Sequence, residues 1–296
     1  FVQKGYLSIF LSGVLWGTLG MFVTLLGNAG IPSSDAAFIR IFMGAVCIGG
    51  IMFFRDGIEI FRIDRKGLFI CVILGIFSQG LFNYCYNSAV ASVGIATSSV
   101  LLYTSPVFVC IMARIFFKEQ ITYIKRVALI INVVGCVLTV TGGDFSSMEF
   151  SFKGVIFGVS AGFLYGLMTI ISRTTTDRYN SLTIIFYSFV FGAVFLAVSV
   201  QPFSSIMASF SMYVLIISVL YGLIPTCFSY ILYMRGLSKG PETSKVPVVA
   251  SIETVIAAIL GFLVFQESFG LFKVIGIGCV VVSIALMNMK FKGKTE

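Results

Sequence analysis

Histidine is missing from all 296 residues. That excludes imidazole metal sites and any acid–base or nucleophilic chemistry built on histidine. Charge is scarce as well, at 11% of the chain, where soluble domains carry about 25%. With 58% hydrophobic residues and a mean hydropathy of +1.05, a soluble fold of this length could not hide its apolar surface. The natural solvent is a bilayer. No glycine-rich phosphate loop occurs, so ATP cannot drive the protein directly. The seven cysteines, Cys47, Cys71, Cys85, Cys110, Cys136, Cys227 and Cys279, all fall in apolar runs and form no CxxC pair. They read as small buried hydrophobes, and no cofactor is implied. The net charge of +8 lacks an extended basic face, which argues against nucleic acid as a partner.

What the chain does have is apolar runs of spanning length. A helix needs roughly 20 such residues to cross the ~30 Å hydrocarbon core. Ten segments qualify: 6–26, 36–54, 68–89, 95–117, 126–142, 154–172, 181–200, 212–234, 246–265 and 271–289. Runs this long without polar alternation require helices, not barrel strands. The connections between them are short and polar. The sequence opens at Phe1 without a methionine, so a short preceding piece is expected. The first run lacks a small-residue cleavage site and reads as a span, not a signal peptide.

Basic residues set the expected orientation. Lys4, Arg55, Arg62, Arg65, Lys66, Lys118, Lys125, Arg126, Arg173, Arg178, Arg235, Lys239, Lys245, Lys290, Lys292 and Lys294 fall on one side of the ten segments. Lys153 and Lys273 fall on the other, and Arg40 and Arg114 lie within segments. Both termini are therefore expected in the cytoplasm, in a bacterial plasma membrane.

The chain also repeats itself. Phe117-Lys118-Glu119 with Lys125 recurs as Phe265-Gln266-Glu267 with Lys273, and Val133-Val134 recurs as Val281-Val282, all 148 residues apart. Residues 1–145 and 150–296 thus read as two five-segment units. An odd number of crossings forces the second copy to enter the membrane upside down. The loop after segment 2 carries four basic residues and its counterpart after segment 7 none, as inversion requires. Inverted repeats place a transport site near the midplane, between the halves.

The Trp16-Gly17 pair, Arg40 early in segment 2 and the stretch from Pro106 to Glu119 resemble the drug/metabolite transporter superfamily, EamA type. So do the second-half echoes, Tyr165-Gly166 and Glu253 to Glu267. The resemblance covers nearly the whole chain. It implies a ten-helix, inverted-repeat secondary transporter whose central cavity is lined mainly by segments 1, 3, 4, 6, 8 and 9. One departure is visible: Glu253 is followed by Thr254 where the family often has proline, while Pro247 lies two turns earlier.

Several residues are candidates for function. Gly13, Gly17 and Gly20 make a small-residue stripe on segment 1, and Gly158, Gly162 and Gly166 make another on segment 6. Such stripes let helices approach closely, either for packing alone or for faces that slide during a transport cycle. Gln79, Asn83, Tyr86 and Asn87 share one face of segment 3, matched by Pro225, Ser229, Leu232 and Tyr233 on segment 8. Amides inside hydrocarbon need protein or water partners, so this face is interhelical glue or a polar cavity wall. Glu253 lies about 10 Å into segment 9 at ~1.5 Å per residue. It is a candidate proton carrier or counter-ion; the alternative is a structural partner for Arg40, Lys245 or a helix end. Arg40 reads as an interfacial or structural arginine, or else as a ligand group. Glu119 and Glu267 end their segments, where a helix cap or a loop lysine is the usual partner.

Trp16, Tyr84, Tyr103, Tyr165 and Tyr221 are deep aromatics on segments the family uses for its cavity. They suit a flat, partly apolar solute or a quaternary ammonium held by cation–π contacts. The expected substrate-binding set is therefore Trp16, Gln79, Asn83, Tyr84, Asn87, Tyr103, Tyr165, Tyr221, Ser229 and Glu253. The expected function is secondary active transport of small organic metabolites, foremost the export of amino acids or related compounds, with protons as candidate coupling ion. Transport of organic cations is the alternative within that class. An intramembrane enzyme would need a nucleophile–base pair or metal ligands. A membrane scaffold would need neither the polar stripe nor the buried acid. The oligomeric state is open.

Overall fold

The structure is a computed structural model and describes residues 2–146, 148, 151–266 and 270–288. Glu267, Met289, Lys290, Lys292 and Lys294 lie outside the described residues. Every element of regular structure among the described residues is helical.

Among the described residues nine helices are long and apolar enough to cross a membrane, and a shorter apolar helix covers Ser105–Phe117. Numbered in chain order, they are α1 (Gln3–Asn28), α2 (Ser33–Asp56), a 38-residue helix Arg65–Leu102, α5 (Tyr123–Thr141), α6 (Phe152–Thr175), α7 (Ser181–Val200), α8 (Met212–Leu237), α9 (Thr243–Phe265) and α10 (Leu271–Asn288). The helix Arg65–Leu102 is two in one. Gly94 adopts φ 74° and ψ 169° inside it, a left-handed conformation open to glycine and costly for other residues. Residues 65–93 form α3, and residues 95–117 form α4. The ten segments read from the sequence are thus recovered, with the turn between the third and fourth collapsed onto one glycine. The protein is a multi-pass, all-α membrane protein.

Among the described residues α1 bends at Gly17 and Thr18, and four further crossing helices depart from regular geometry in matched pairs. A π-helix covers Leu74–Leu81 in α3, and another covers Leu223–Phe228 in α8. Helix α4 is interrupted at Tyr103 and Thr104, and α9 at Ser251. Both interruptions carry a hydroxyl bonded to a carbonyl three residues back: Thr104 to Leu101 at 2.6 Å and Ser251 to Val248 at 2.7 Å. Such local bonds compete with the helix ladder. The break expected of a proline after Glu253 therefore forms without one, three residues earlier. Lys118 and Gln266 both close their helices in the left-handed conformation.

Contacts between the halves pair up at nearly the same offset. Thr226 lies against Gly44, and Gln79 against Gly192. The carbonyl of Ala250 lies against Gly13, and that of Leu101 against Gly162. Ser205 donates to Asp35 at the start of α2, while Thr183 at the start of α7 donates to the Ile60 carbonyl at 2.8 Å. In both cases the second helix of one half meets the connector between the second and third helices of the other. Of the two glycine stripes, Gly158, Gly162 and Gly166 all sit at close approaches, as do Gly13 and Gly17. Gly20 faces open space.

Candidate functional site

The site is built where α1, α3, α6 and α8 converge. Trp16 is buried at the end of the first stretch of α1. Its ring meets Tyr165 of α6 at 6.2 Å, Tyr230 of α8 at 5.4 Å and Tyr233 of α8 at 5.0 Å. Edge-on and tilted pairs of this kind suit the ring quadrupoles. Tyr165 stacks on Phe82 of α3 at 5.7 Å.

Hydrogen bonds tie this aromatic centre to the polar face of α3. Gln79 Nε2 donates to the Tyr230 oxygen at 3.1 Å, and the Tyr230 hydroxyl donates to Gln79 Oε1 at 3.2 Å. Asn83 Nδ2 donates to the Gln79 carbonyl at 2.5 Å, and Asn83 Oδ1 accepts from Arg40 Nη2 at 3.4 Å. The Tyr233 and Thr169 hydroxyls lie 2.7 Å apart. The buried amides of α3 are therefore partnered across four helices, as the cost of leaving them bare in hydrocarbon demands.

Glu253 follows the break in α9 by two residues. It keeps accessible surface although it sits deep in the protein, and so do Tyr86, Tyr103 and Tyr165 around it. Tyr103 stands beside Thr254, the residue after Glu253, and Tyr86 lies 3.1 Å from the Ser99 hydroxyl. Among the described residues Glu253 has no ion pair: Lys245 bonds to Glu242, and Arg40 to Asn83. Arg40 and Lys245 are thus engaged elsewhere, while the third alternative is met: Glu253 stands in the first turn of the helix Ile252–Phe265, at the end where a carboxylate suits the helix dipole. The chemistry on offer is one carboxylate grouped with three tyrosines.

The predicted set divides. Trp16, Gln79, Asn83, Tyr103, Tyr165 and Glu253 come together as described. Asn87 is half-buried, one turn beyond Asn83. Tyr221 stands apart from the Trp16 cluster, stacked on Phe22 at 5.4 Å. Ser229 is fully buried, and its hydroxyl is taken up by the Pro225 carbonyl of its own helix at 2.6 Å. Tyr84 is not brought in: it is 44% exposed and meets Phe157 edge-on on the outer face. Tyr230 was absent from the predicted set. The π-helix at Leu223–Phe228 explains this, since the wider turn rotates every later side chain away from α-helical spacing. A helix-breaking Pro225 in mid-segment is the signal that could have warned of it.

One end of the molecule is closed by polar contacts between the halves. The Glu119 carboxylate accepts from the backbone N–H groups of Thr243 and Ser244 at 2.6 and 2.9 Å, capping α9 from the opposite half. Lys125, largely buried at the start of α5, pairs with Glu242 and donates to the Gln120 carbonyl at 2.8 Å. Lys245 pairs with Glu242 at 2.9 Å. Burial alone would raise the Glu242 carboxyl; the hydrogen bonds from Lys125 and Lys245 outweigh it and hold it below its ordinary range. A cavity of about 660 Å³ opens beside this latch, lined among others by Tyr6, Phe10, Lys245, Val249 and Ile284.

Comparison with known proteins adds the following. The model of the EamA-like transporter family matches twice, over residues 3–141 and 152–289. A protein of Archaeoglobus fulgidus, named an uncharacterized transporter, is 26% identical over 96% of each chain. The pseudopaline exporter CntI of Pseudomonas aeruginosa is 28% identical over 61% of this chain and 63% of its own. A crystal structure of 15% sequence identity superposes with a TM-score of 0.80, covering 97% of this chain and 96% of that one.

Proposed function

The chain belongs to the EamA-like transporter family, and from that premise we propose that it is a secondary active exporter of amino acids or related small metabolites. It works as two inverted five-helix repeats, residues 1–145 and 150–296, which expose a central site to opposite sides in turn. The matched π-helices, matched helix breaks and paired contacts between the halves support this reading. The name of the Pseudomonas aeruginosa relative supports the direction of transport. Both termini face the cytoplasm, in a bacterial plasma membrane, on the weight of the basic loops.

The observation that carries the proposal is Glu253, a carboxylate without an ion pair among the described residues, grouped with Tyr86, Tyr103 and Tyr165. Trp16, Tyr103 and Tyr165 form the walls of the site, Gln79, Asn83 and Asn87 its polar side, and Glu253 exchanges a proton during the cycle. Protonation removes the charge that would otherwise resist passage through a closed intermediate. Tyr84 is left out of the site by its outward position.

The test is transport of a radiolabelled amino-acid mixture into proteoliposomes, measured against pH in wild type and Glu253→Gln. Wild type is expected to respond to pH and the variant to have a flat profile. Coincident profiles would remove Glu253 from the mechanism.

The same cage favours a second substrate class. A carboxylate ringed by Tyr86, Tyr103 and Tyr165 matches a quaternary ammonium, whose charge is attracted by both the acid and the ring faces. Uptake of tetraethylammonium that amino acids do not inhibit would support this reading over the first.

A further inference from the structure

Arg40 is 6% exposed, seven residues into α2 and about 10 Å from its start at ~1.5 Å per residue. Its one hydrogen bond among the described residues goes to Asn83 Oδ1 at 3.4 Å. That length is beyond the usual range for an N–H donor. None of the ion pairs among the described residues includes it. A guanidinium carries five donors and stays charged, so burial without a carboxylate is costly. Its remaining donors make no hydrogen bond among the described residues.

A second donor stands nearby in the same condition. Tyr221 is 3% exposed, and its neighbour Gly222 packs directly against Met43 and Gly44 of α2, the helix that carries Arg40. Its ring stacks on Phe22, and its hydroxyl has no hydrogen-bond partner among the described residues. Two strong donors with spare capacity are thus buried on neighbouring helices, and among the described residues no acidic side chain pairs with Arg40. Asp35, buried at the start of the same helix, is bonded to Ser34 and Ser205, and Glu253 stands on another helix beside Tyr103 and Tyr165. A continuous chain of contacts joins the two places: Arg40 to Asn83, Asn83 to Gln79, Gln79 to Tyr230, Tyr230 to Trp16, and Trp16 to Tyr165.

We infer that Arg40 and Tyr221 form a second subsite that binds the carboxylate of an organic solute, at the opposite end of the Gln79–Trp16 wall from Glu253. The inference rests on the transporter reading above and gives its substrate a required group. A guanidinium grips a carboxylate through two parallel hydrogen bonds, and the Tyr221 hydroxyl supplies a further donor. A zwitterion then has a place for each charge, its carboxylate at Arg40 and its ammonium at Glu253.

The test is thermal unfolding of the purified full chain and of Arg40→Met in chloride-free buffer. Each is measured alone, with a mixture of the twenty amino acids, with the matching amino-acid amides, and with chloride. A guanidinium kept for a ligand gives the empty protein little beyond its long bond to Asn83, so Arg40→Met should melt close to the wild-type temperature. The amino acids should raise the wild-type melting point and leave that of Arg40→Met in place, and the amides should raise neither. Ligands stabilise only the state they bind, so the shifts report binding directly. A drop of several degrees in empty Arg40→Met would make the arginine structural and overturn the inference. So would equal stabilisation of both proteins by amino acids, or chloride acting on wild type as strongly as they do. Should Arg40→Met not be recovered, Arg40→Lys keeps the charge without the fork and should lose at least half of the amino-acid shift; an unchanged shift overturns the inference. If wild type ignores amino acids yet transports tetraethylammonium in proteoliposomes, the subsite fails while the transporter stands. If neither probe is transported, the wider reading fails as well.

Discussion

The carbonyl oxygen of Glu253 lies 2.8 Å from where a Cβ on Gly17 would stand. Ile256 fills the rest of that space, with Cβ at 2.5 Å from the same point. The first helix therefore leans backbone-to-backbone on the turn that carries the candidate proton site. In the other half, Gly166 faces the carbonyl of Ser105 in the same way, at 3.4 Å.

Gly17→Ala tests this approach. The added methyl has only backbone and a β-branched side chain to push against, so the helices must separate. Overpacking of this kind costs about 1–3 kcal/mol, and a melting point several degrees lower is expected for the purified variant. Gly20→Ala is the control, because nothing lies within 4 Å of its added carbon. It should be neutral or slightly stabilising, since alanine exceeds glycine in helix propensity by about 1 kcal/mol. Equal melting points for the two variants would refute the close approach.

That contrast marks how far the sequence could be read. The ten apolar segments, the offset of 148 and the stripe at Gly158, Gly162 and Gly166 are all visible as patterns. Period and composition determine where a helix can lie in a bilayer, and small residues mark where two can touch. Gly20 shows the limit, since the bend after Trp16 turns it away from the face that Gly13 and Gly17 share. Tyr230 and Tyr84 show it again. Side-chain direction past a π-turn is set by backbone geometry that composition does not encode. Arg40 was visible from the start, but its lack of a carboxylate is a fact of tertiary packing.

Gln79 and Tyr230 depend on each other. Tyr230→Phe removes the hydroxyl that gives the Gln79 amide an acceptor and a donor, leaving the weak Met168 sulfur contact at 3.9 Å. An unsatisfied buried amide costs about 1–3 kcal/mol. Paired with Gln79→Leu, the second change should cost much less than the first. A double-mutant cycle on melting temperature measures this, and additive losses would show that the two residues do not interact.

The latch at Glu242 has a pH signature. Its carboxyl is held below the ordinary value of 4.5 in the folded protein, so its contribution is full above that value and is lost as pH falls through the lower folded one. Glu242→Gln lacks the contribution at every pH. The variant should therefore melt lower than wild type near neutrality, by the equivalent of about 1 kcal/mol after allowing for a half-exposed carboxylate. The gap should close on acidification below pH 4.5. A gap that persists unchanged in acid would mean the glutamate acts by packing and not by charge.

The inverted arrangement makes a prediction about sidedness. Asp56 ends α2 and Ser204 lies in the short helix Phe203–Ala208 after α7, so both follow the second crossing of their half. Their surroundings correspond: the start of α7 bonds to the first connector through Thr183 and Ile60, and the start of α2 to the second through Asp35 and Ser205. Five crossings separate the two connectors, and an odd number must place them on opposite sides of the bilayer. Asp56→Cys and Ser204→Cys, each in a background free of other cysteines, should react with a membrane-impermeant maleimide from opposite sides. Arg55, Arg62, Arg65 and Lys66 flank the first connector, which places Asp56→Cys on the cytoplasmic side and Ser204→Cys outside. Labelling in intact cells should therefore reach only the second site, and inside-out vesicles only the first. Both sites reacting from one side would mean an even number of crossings between the connectors, and the inverted-repeat reading would fall.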